Sequence, residues 1–144
     1  MTTYHTHSPQ ETETLAATMA QRLRAGDVIA YRGTLGAGKT CFTRGLAAGL
    51  GIKSAVSSPT FALVHEYRGE RLTLYHFDMY RIEGEDDLYS TGFYDYLSDP
   101  RALLAIEWSE NIDFALDFPH ITVEIAPGAK EDERVITIKG DGRF

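Results

Sequence analysis

Gly33-Thr34-Leu35-Gly36-Ala37-Gly38-Lys39-Thr40 has the GxxxxGKT spacing of a phosphate-binding loop. Glycines at 33, 36 and 38 allow positive-φ turns and bring backbone N–H groups close to phosphate oxygens, where a Cβ would clash. Gly33, Gly36, Ala37 and Gly38 are therefore candidate cradle positions, with Lys39, Thr40 and Cys41 following at the start of a helix. Lys39 can extend to the β- and γ-phosphates, and the Thr40 hydroxyl can take one place on a magnesium ion. The helix N-terminus adds its partial positive charge.

A magnesium-nucleotide site also needs a carboxylate near the metal, and in open α/β sheets ligands sit beyond the carboxyl ends of parallel strands. Glu107 follows the apolar run Ala102-Leu103-Leu104-Ala105-Ile106, which has the composition of a parallel strand buried on both faces. That makes Glu107 the preferred acid on the metal side, with Thr40 as its partner ligand. Asp78 ends another strand-like run and is the candidate for polarising water or supporting the metal shell. A solvated acid at a strand end is the plain alternative for both. Trp108 either packs near the nucleotide or belongs to the core. Thr60, after Ser58 and Pro59, is a candidate switch residue for the γ-phosphate or metal, against the simpler reading of a turn.

The elements that must position these residues are legible on either side. Val28-Ile29-Ala30-Tyr31 is a short apolar strand leading into the loop, and Phe42, Leu46, Ala47 and Leu50 recur at helical spacing after it, with Gly51 as the stop. Upstream, Ser8-Pro9-Gln10-Glu11 forms a capping box. It opens a helix carrying Leu15, Met19 and Leu23 on one face beside Ala16 and Ala20, closed by Gly26. Phe61 to Tyr67 and Leu72 to Phe77 read as an antiparallel hairpin turning at 68–71. The acidic stretch Glu83 to Asp99 suits one or two short helices interrupted near Gly92. Ile121 to Ile125 and Arg134 to Lys139 are two closing strands, joined by 127–133.

With 144 residues and 43% hydrophobic content, the expectation is one domain spanning 1–144 with a full core. No apolar run has the length of a membrane span, and 1–8 lacks the apolar stretch of a secretion signal, so a cytoplasmic location is expected. The net charge of -7 argues against a large electrostatic footprint for nucleic acid. The single cysteine, Cys41, is most simply a small packing residue, and the five histidines lack zinc-ligand spacing with one another or with Cys41. The guanine-reading Asn-Lys-x-Asp pattern is absent, since Ile138-Lys139-Gly140-Asp141 has Ile where the base-contacting amide belongs. Adenine nucleotide is favoured.

Gly33 to Thr40 with Phe42 to Leu46, then Ser57 to Phe61, Tyr75 to Arg81 and Ile106 to Glu110, resemble in order the TsaE (YjeE) family. The resemblance covers nearly the whole chain. It implies a P-loop NTPase-like α/β fold, a three-layer α/β/α sandwich with a mixed central sheet. It further implies an ATPase, using ATP and magnesium, that serves threonylcarbamoyladenosine formation in tRNA together with the TsaB and TsaD proteins and touches tRNA only indirectly. By the same resemblance Lys39 and Thr40 hold phosphate and magnesium, Glu107 completes the metal shell, Asp78 supports hydrolysis and Trp108 lies near the nucleotide. The regions of Thr12 and Arg134 become candidates for contacting the base. Thr34, where the family pattern commonly has Asp, and Cys41, where a second Thr is common, depart from it. A stand-alone small-molecule kinase, with Asp78 as base, and a module that senses ATP without hydrolysing it are the competing readings.

Overall fold

Val28, Ile29, Ala30 and Tyr31 are apolar on both sides of the strand they form, so that strand needs cover on both faces. In the computed structural model, which describes residues 1–33, 38–53, 56 and 63–144, it lies at the centre of a seven-stranded sheet. The strands are β1 (Thr2–Thr6), β2 (Val28–Gly33), β3 (Val64–Arg68), β4 (Thr73–Asp78), β5 (Ala102–Glu107), β6 (Ile121–Pro127) and β7 (Arg134–Lys139). Their order is β1-β7-β6-β2-β5-β4-β3. β6, β2, β5 and β4 run parallel, while the outer strands β1, β7 and β3 pair antiparallel. The sheet is therefore mixed, with a parallel centre whose carboxyl ends all lie at one edge.

Helices α1 (Pro9–Ala20) and α2 (Lys39–Gly49) cover one face, over a core that includes Ile29, Tyr31, Phe42, Leu46, Leu74 and Leu103. The short helices α3 (Glu85–Ser90) and α4 (Phe93–Leu97), with a 3-10 segment over Ser109–Ala115, cover the other, over Ala30, Phe77, Phe93, Leu104 and Ile106. Alternation along a strand sends successive side chains to opposite faces. Tyr31, Leu74 and Leu103 thus belong to the α1/α2 side, and Phe77 and Ile106 to the other.

α1 and α2 approach closely through small residues. A Cβ on Gly45 would run into the carbonyl oxygen of Glu13 and lie 2.7 Å from the Ala16 Cβ, and one on Gly49 would lie 2.6 Å from Ala17 O. Ser8 caps α1 by accepting the Glu11 N–H at 3.1 Å, and Glu11 reaches back to the N–H of His7 at 2.9 Å, one residue before the cap itself. The helix stops at Ala20, short of the expected end at Gly26. Leu23 is buried beyond it, and Gly26 instead makes a positive-φ turn leading to β2.

The hairpin is antiparallel as expected, and Gly92 divides α3 from α4. β4 also pairs with β5 on its second edge and is buried along both faces. β1 and the 3-10 segment are additions to the expected elements. β1 escaped notice because its alternating, largely polar residues pair with β7 at the sheet edge. The loop positions Gly36 and Ala37, and the segment containing Thr60 and Phe61, lie outside the described residues.

Candidate functional site

β2 ends at Gly33, and α2 begins at Lys39 with Gly38 as its N-cap. Gly33 has φ 120°, and a Cβ there would run into the main-chain oxygen of Ile125 on β6; Gly38 has φ 102°. These two ends of the loop therefore hold backbone that favours glycine. The N-cap of α2 is a glycine with no side-chain cap among the described residues, so the first N–H groups of the helix and its dipole can meet an anion. Lys39 is largely buried.

Glu107 closes β5, the direct parallel neighbour of β2. Its odd-numbered strand mates Leu103 and Ala105 face the α1/α2 side, and alternation puts the Glu107 carboxylate on that same face. Asp78 closes β4 and is the register partner of Glu107. Two acids thus stand side by side at the carboxyl edge of the parallel strands, on the sheet face that carries α2. Burial pushes the Asp78 carboxyl above its ordinary range and the charge of Glu107 adds to that, opposed by the Tyr80 N–H that donates to Oδ1 at 2.9 Å.

Beneath the acids is a buried polar layer that sequence reasoning passed over. Tyr31 Oη lies 2.7 Å from Thr43 Oγ1, whose own hydroxyl donates to Lys39 O at 2.8 Å, and Ser109 Oγ donates to Tyr31 O at 2.8 Å. Burial, more than any neighbour, drives the Tyr31 phenol strongly upward. His76, wholly buried, has Nε2 2.7 Å from Glu107 Oε2. The contact is short but poorly aligned: neither ring nitrogen nor Oε2 makes a well-formed hydrogen bond in the described structure. The available signal was a histidine two residues before Asp78, in phase with Leu72 and Leu74 on an otherwise apolar strand face.

Glu107 meets His76 through Oε2, which leaves its other carboxylate oxygen as a hard donor for a divalent cation. Glu107 with the Thr40 hydroxyl at the start of α2 is thus a donor set that fits magnesium. Trp108 takes a left-handed backbone conformation (φ 59°), the one non-glycine with positive φ among the described residues. Its indole packs against Tyr80, with ring centroids 4.9 Å apart, and against the core on the α3/α4 side. That is the opposite sheet face from the one Glu107 occupies.

Thr12, Gly38, Cys41 and Arg134 come together around a narrow cleft of about 50 Å³, with Pro9 and Asp132. Within it Thr12 Oγ1 is 2.7 Å from Thr6 Oγ1, and the Cys41 thiol donates to Pro9 O at 3.3 Å. Burial and then Glu13 push that thiol upward, which suits a packing role better than a nucleophilic one. Arg134 Nη1 donates to Glu131 O and Glu133 O, shaping the turn before β7.

The chain resembles known proteins over most of its length. The family model described as "Threonylcarbamoyl adenosine biosynthesis protein TsaE" matches residues 6–136. The tRNA threonylcarbamoyladenosine biosynthesis protein TsaE of Bacillus subtilis is 40% identical over 139 residues, covering 96% of this chain and 85% of that protein. The protein of the same name from Aquifex aeolicus is 43% identical over 105 residues, covering 72% of this chain and 73% of its own. Among solved structures, YdiB of Bacillus subtilis aligns over 98% of this chain and 86% of its own, with TM-score 0.78 and 36% identity.

Proposed function

The chain belongs to the TsaE family, and from that premise we propose that it is a single-domain, magnesium-dependent ATPase serving formation of threonylcarbamoyladenosine in tRNA, in complex with TsaB and TsaD. The observation that carries the reading is the position of Glu107, at the carboxyl end of the strand paired directly with β2 and on the face that carries α2. A chance glycine-rich turn would have no reason to meet a half-buried acid there.

Main-chain amides from Gly33 to Gly38 and the N-terminus of α2 bind the polyphosphate, and Lys39 neutralises the β- and γ-phosphates. Thr40 and Glu107 hold the magnesium ion, which when bound shields phosphate charge and favours the developing charge on the leaving oxygen. Asp78, one strand further from β2, orients the attacking water and accepts its proton, a task helped by a carboxyl already raised above its ordinary range. The cleft at Thr12, Gly38, Cys41 and Arg134 lies beside the end of the loop and suits the nucleoside end of ATP. Thr60, outside the described residues, serves as the switch for the γ-phosphate. The chain's net charge of -7 is in keeping with tRNA being gripped by partners, and no described helix is long and apolar enough to cross a membrane.

The test is a reconstituted modification reaction with TsaB, TsaD, tRNA and the activated threonylcarbamoyl donor. Wild-type chain supports many rounds of modification, while Lys39→Ala and Glu107→Ala support at most one. Multiple turnover by both variants would defeat the proposal. Phosphate transfer to a metabolite by the chain alone would favour the kinase reading instead.

A further inference from the structure

We propose that His76 is a positioning residue for Glu107: its Nε2–H holds Oε2 and so fixes the direction in which the carboxylate meets a magnesium ion. The inference rests on the ATPase reading and adds a residue to it. At 2.7 Å a bare ring nitrogen facing a carboxylate oxygen would repel it, so the tautomer that suits the contact carries its proton on Nε2.

The strand geometry delivers the ring to that point. His76 is the register partner of Ala105, two residues before Glu107 on the same sheet face, which makes His76 and Glu107 diagonal neighbours within reach of long side chains. Packing alone does not account for a histidine here. The ring is wholly buried and its Nδ1 finds no hydrogen-bond partner in the described structure, a cost a leucine would not carry. The short contact is poorly aligned, and the positioning role requires it to straighten when the site is loaded, as hydrogen bonds of active sites commonly do. Groups that orient a metal-binding side chain typically change metal affinity by about 10–100-fold.

The test is calorimetric titration of ATP, with magnesium and with EDTA, into wild type, His76→Leu, His76→Gln, Glu107→Gln and the His76→Leu/Glu107→Gln double variant. The reading is the ratio of the two Kd values. The expected result is a metal-free Kd alike in wild type and the single His76 variants, which also reports intact folding, unchanged or tighter in the two variants that carry Glu107→Gln, and a magnesium ratio that falls about 10–100-fold in His76→Leu. Glutamine places an N–H near the position of Nε2, so His76→Gln should recover to within about threefold of wild type. The double variant should match Glu107→Gln alone. A wild-type ratio in His76→Leu, or a further loss in the double variant, overturns the positioning role while leaving the ATPase reading intact. If His76→Leu does not fold, His76→Asn, whose amide is too short to reach Oε2, takes its place, and equal ratios for Asn and Gln overturn the role. Wild type that gains nothing from magnesium overturns both.

Discussion

Asp78 and Glu107 are register partners at the carboxyl ends of β4 and β5, so two acids share one edge of the sheet and the charge of each bears on the other. Burial first, and Glu107 second, hold Asp78 above its ordinary value of 3.8. Below that value both folded and unfolded chains carry the proton and Asp78 costs nothing. As pH rises from there to the raised folded value, the folded chain keeps a proton the unfolded chain has released, and stability falls. Asp78→Asn should therefore be more stable than wild type at pH 7, by an amount that the carboxyl's partial exposure to solvent keeps small, and should lose that part of the pH dependence. Its ATPase rate should nevertheless drop about 100-fold or more. Thermal melts between pH 3 and 8, beside phosphate release, check both.

Glu107→Gln keeps the shape of the side chain and removes the charge that a metal ion needs. Its magnesium requirement for ATP turnover should rise at least about tenfold, with kcat falling on the order of 100-fold. Its EDTA-measured affinity for ATP should hold or improve, because a negative charge has left the phosphate site. A magnesium titration of turnover separates these effects.

Gly45 lies where α2 crosses α1, against Glu13 O and the Ala16 Cβ. Alanine is the better helix former in isolation, yet Gly45→Ala should destabilise by about 1–3 kcal/mol through overpacking. Urea unfolding gives the answer, and a gain in stability would show that the helices can separate without cost.

Thr43 has one hydroxyl proton, and it goes to Lys39 O, so Tyr31 must donate in the 2.7 Å contact between their oxygens. Tyr31→Phe removes that donor and leaves a buried oxygen with one partner fewer. The expected loss is about 1 kcal/mol of stability, read from urea unfolding, with ATP affinity within about threefold of wild type because no phosphate-binding group is touched.

All four strands of the parallel centre were legible as strands, but only β5 as a parallel one. Ala102 to Ile106 announced a two-sided strand by being apolar throughout, and that same property made it the neighbour of β2 and set Glu107 at the carboxyl edge beside it. The Ser8 cap and the Gly92 break were readable because each rests on local backbone chemistry. β1 was not, because an edge strand of alternating threonines, tyrosine and histidine has no apolar face of its own and gains its order from β7. His76 stayed hidden for a different reason. Its role depends on a residue 31 positions away in the chain, and only the β4–β5 register brings the two together. The same holds for Tyr31 and Thr43, which read as plain core and helix residues until the sheet and α2 are stacked.

Steady-state release of phosphate from ATP by the purified chain, with and without magnesium, and by Lys39→Ala beside it, tests the central claim most directly. The account predicts slow release that requires magnesium, quickens with TsaB and TsaD, and falls at least about tenfold in Lys39→Ala. Equal release by wild type and Lys39→Ala, or none by wild type at saturating magnesium and ATP with both partners present, would contradict it.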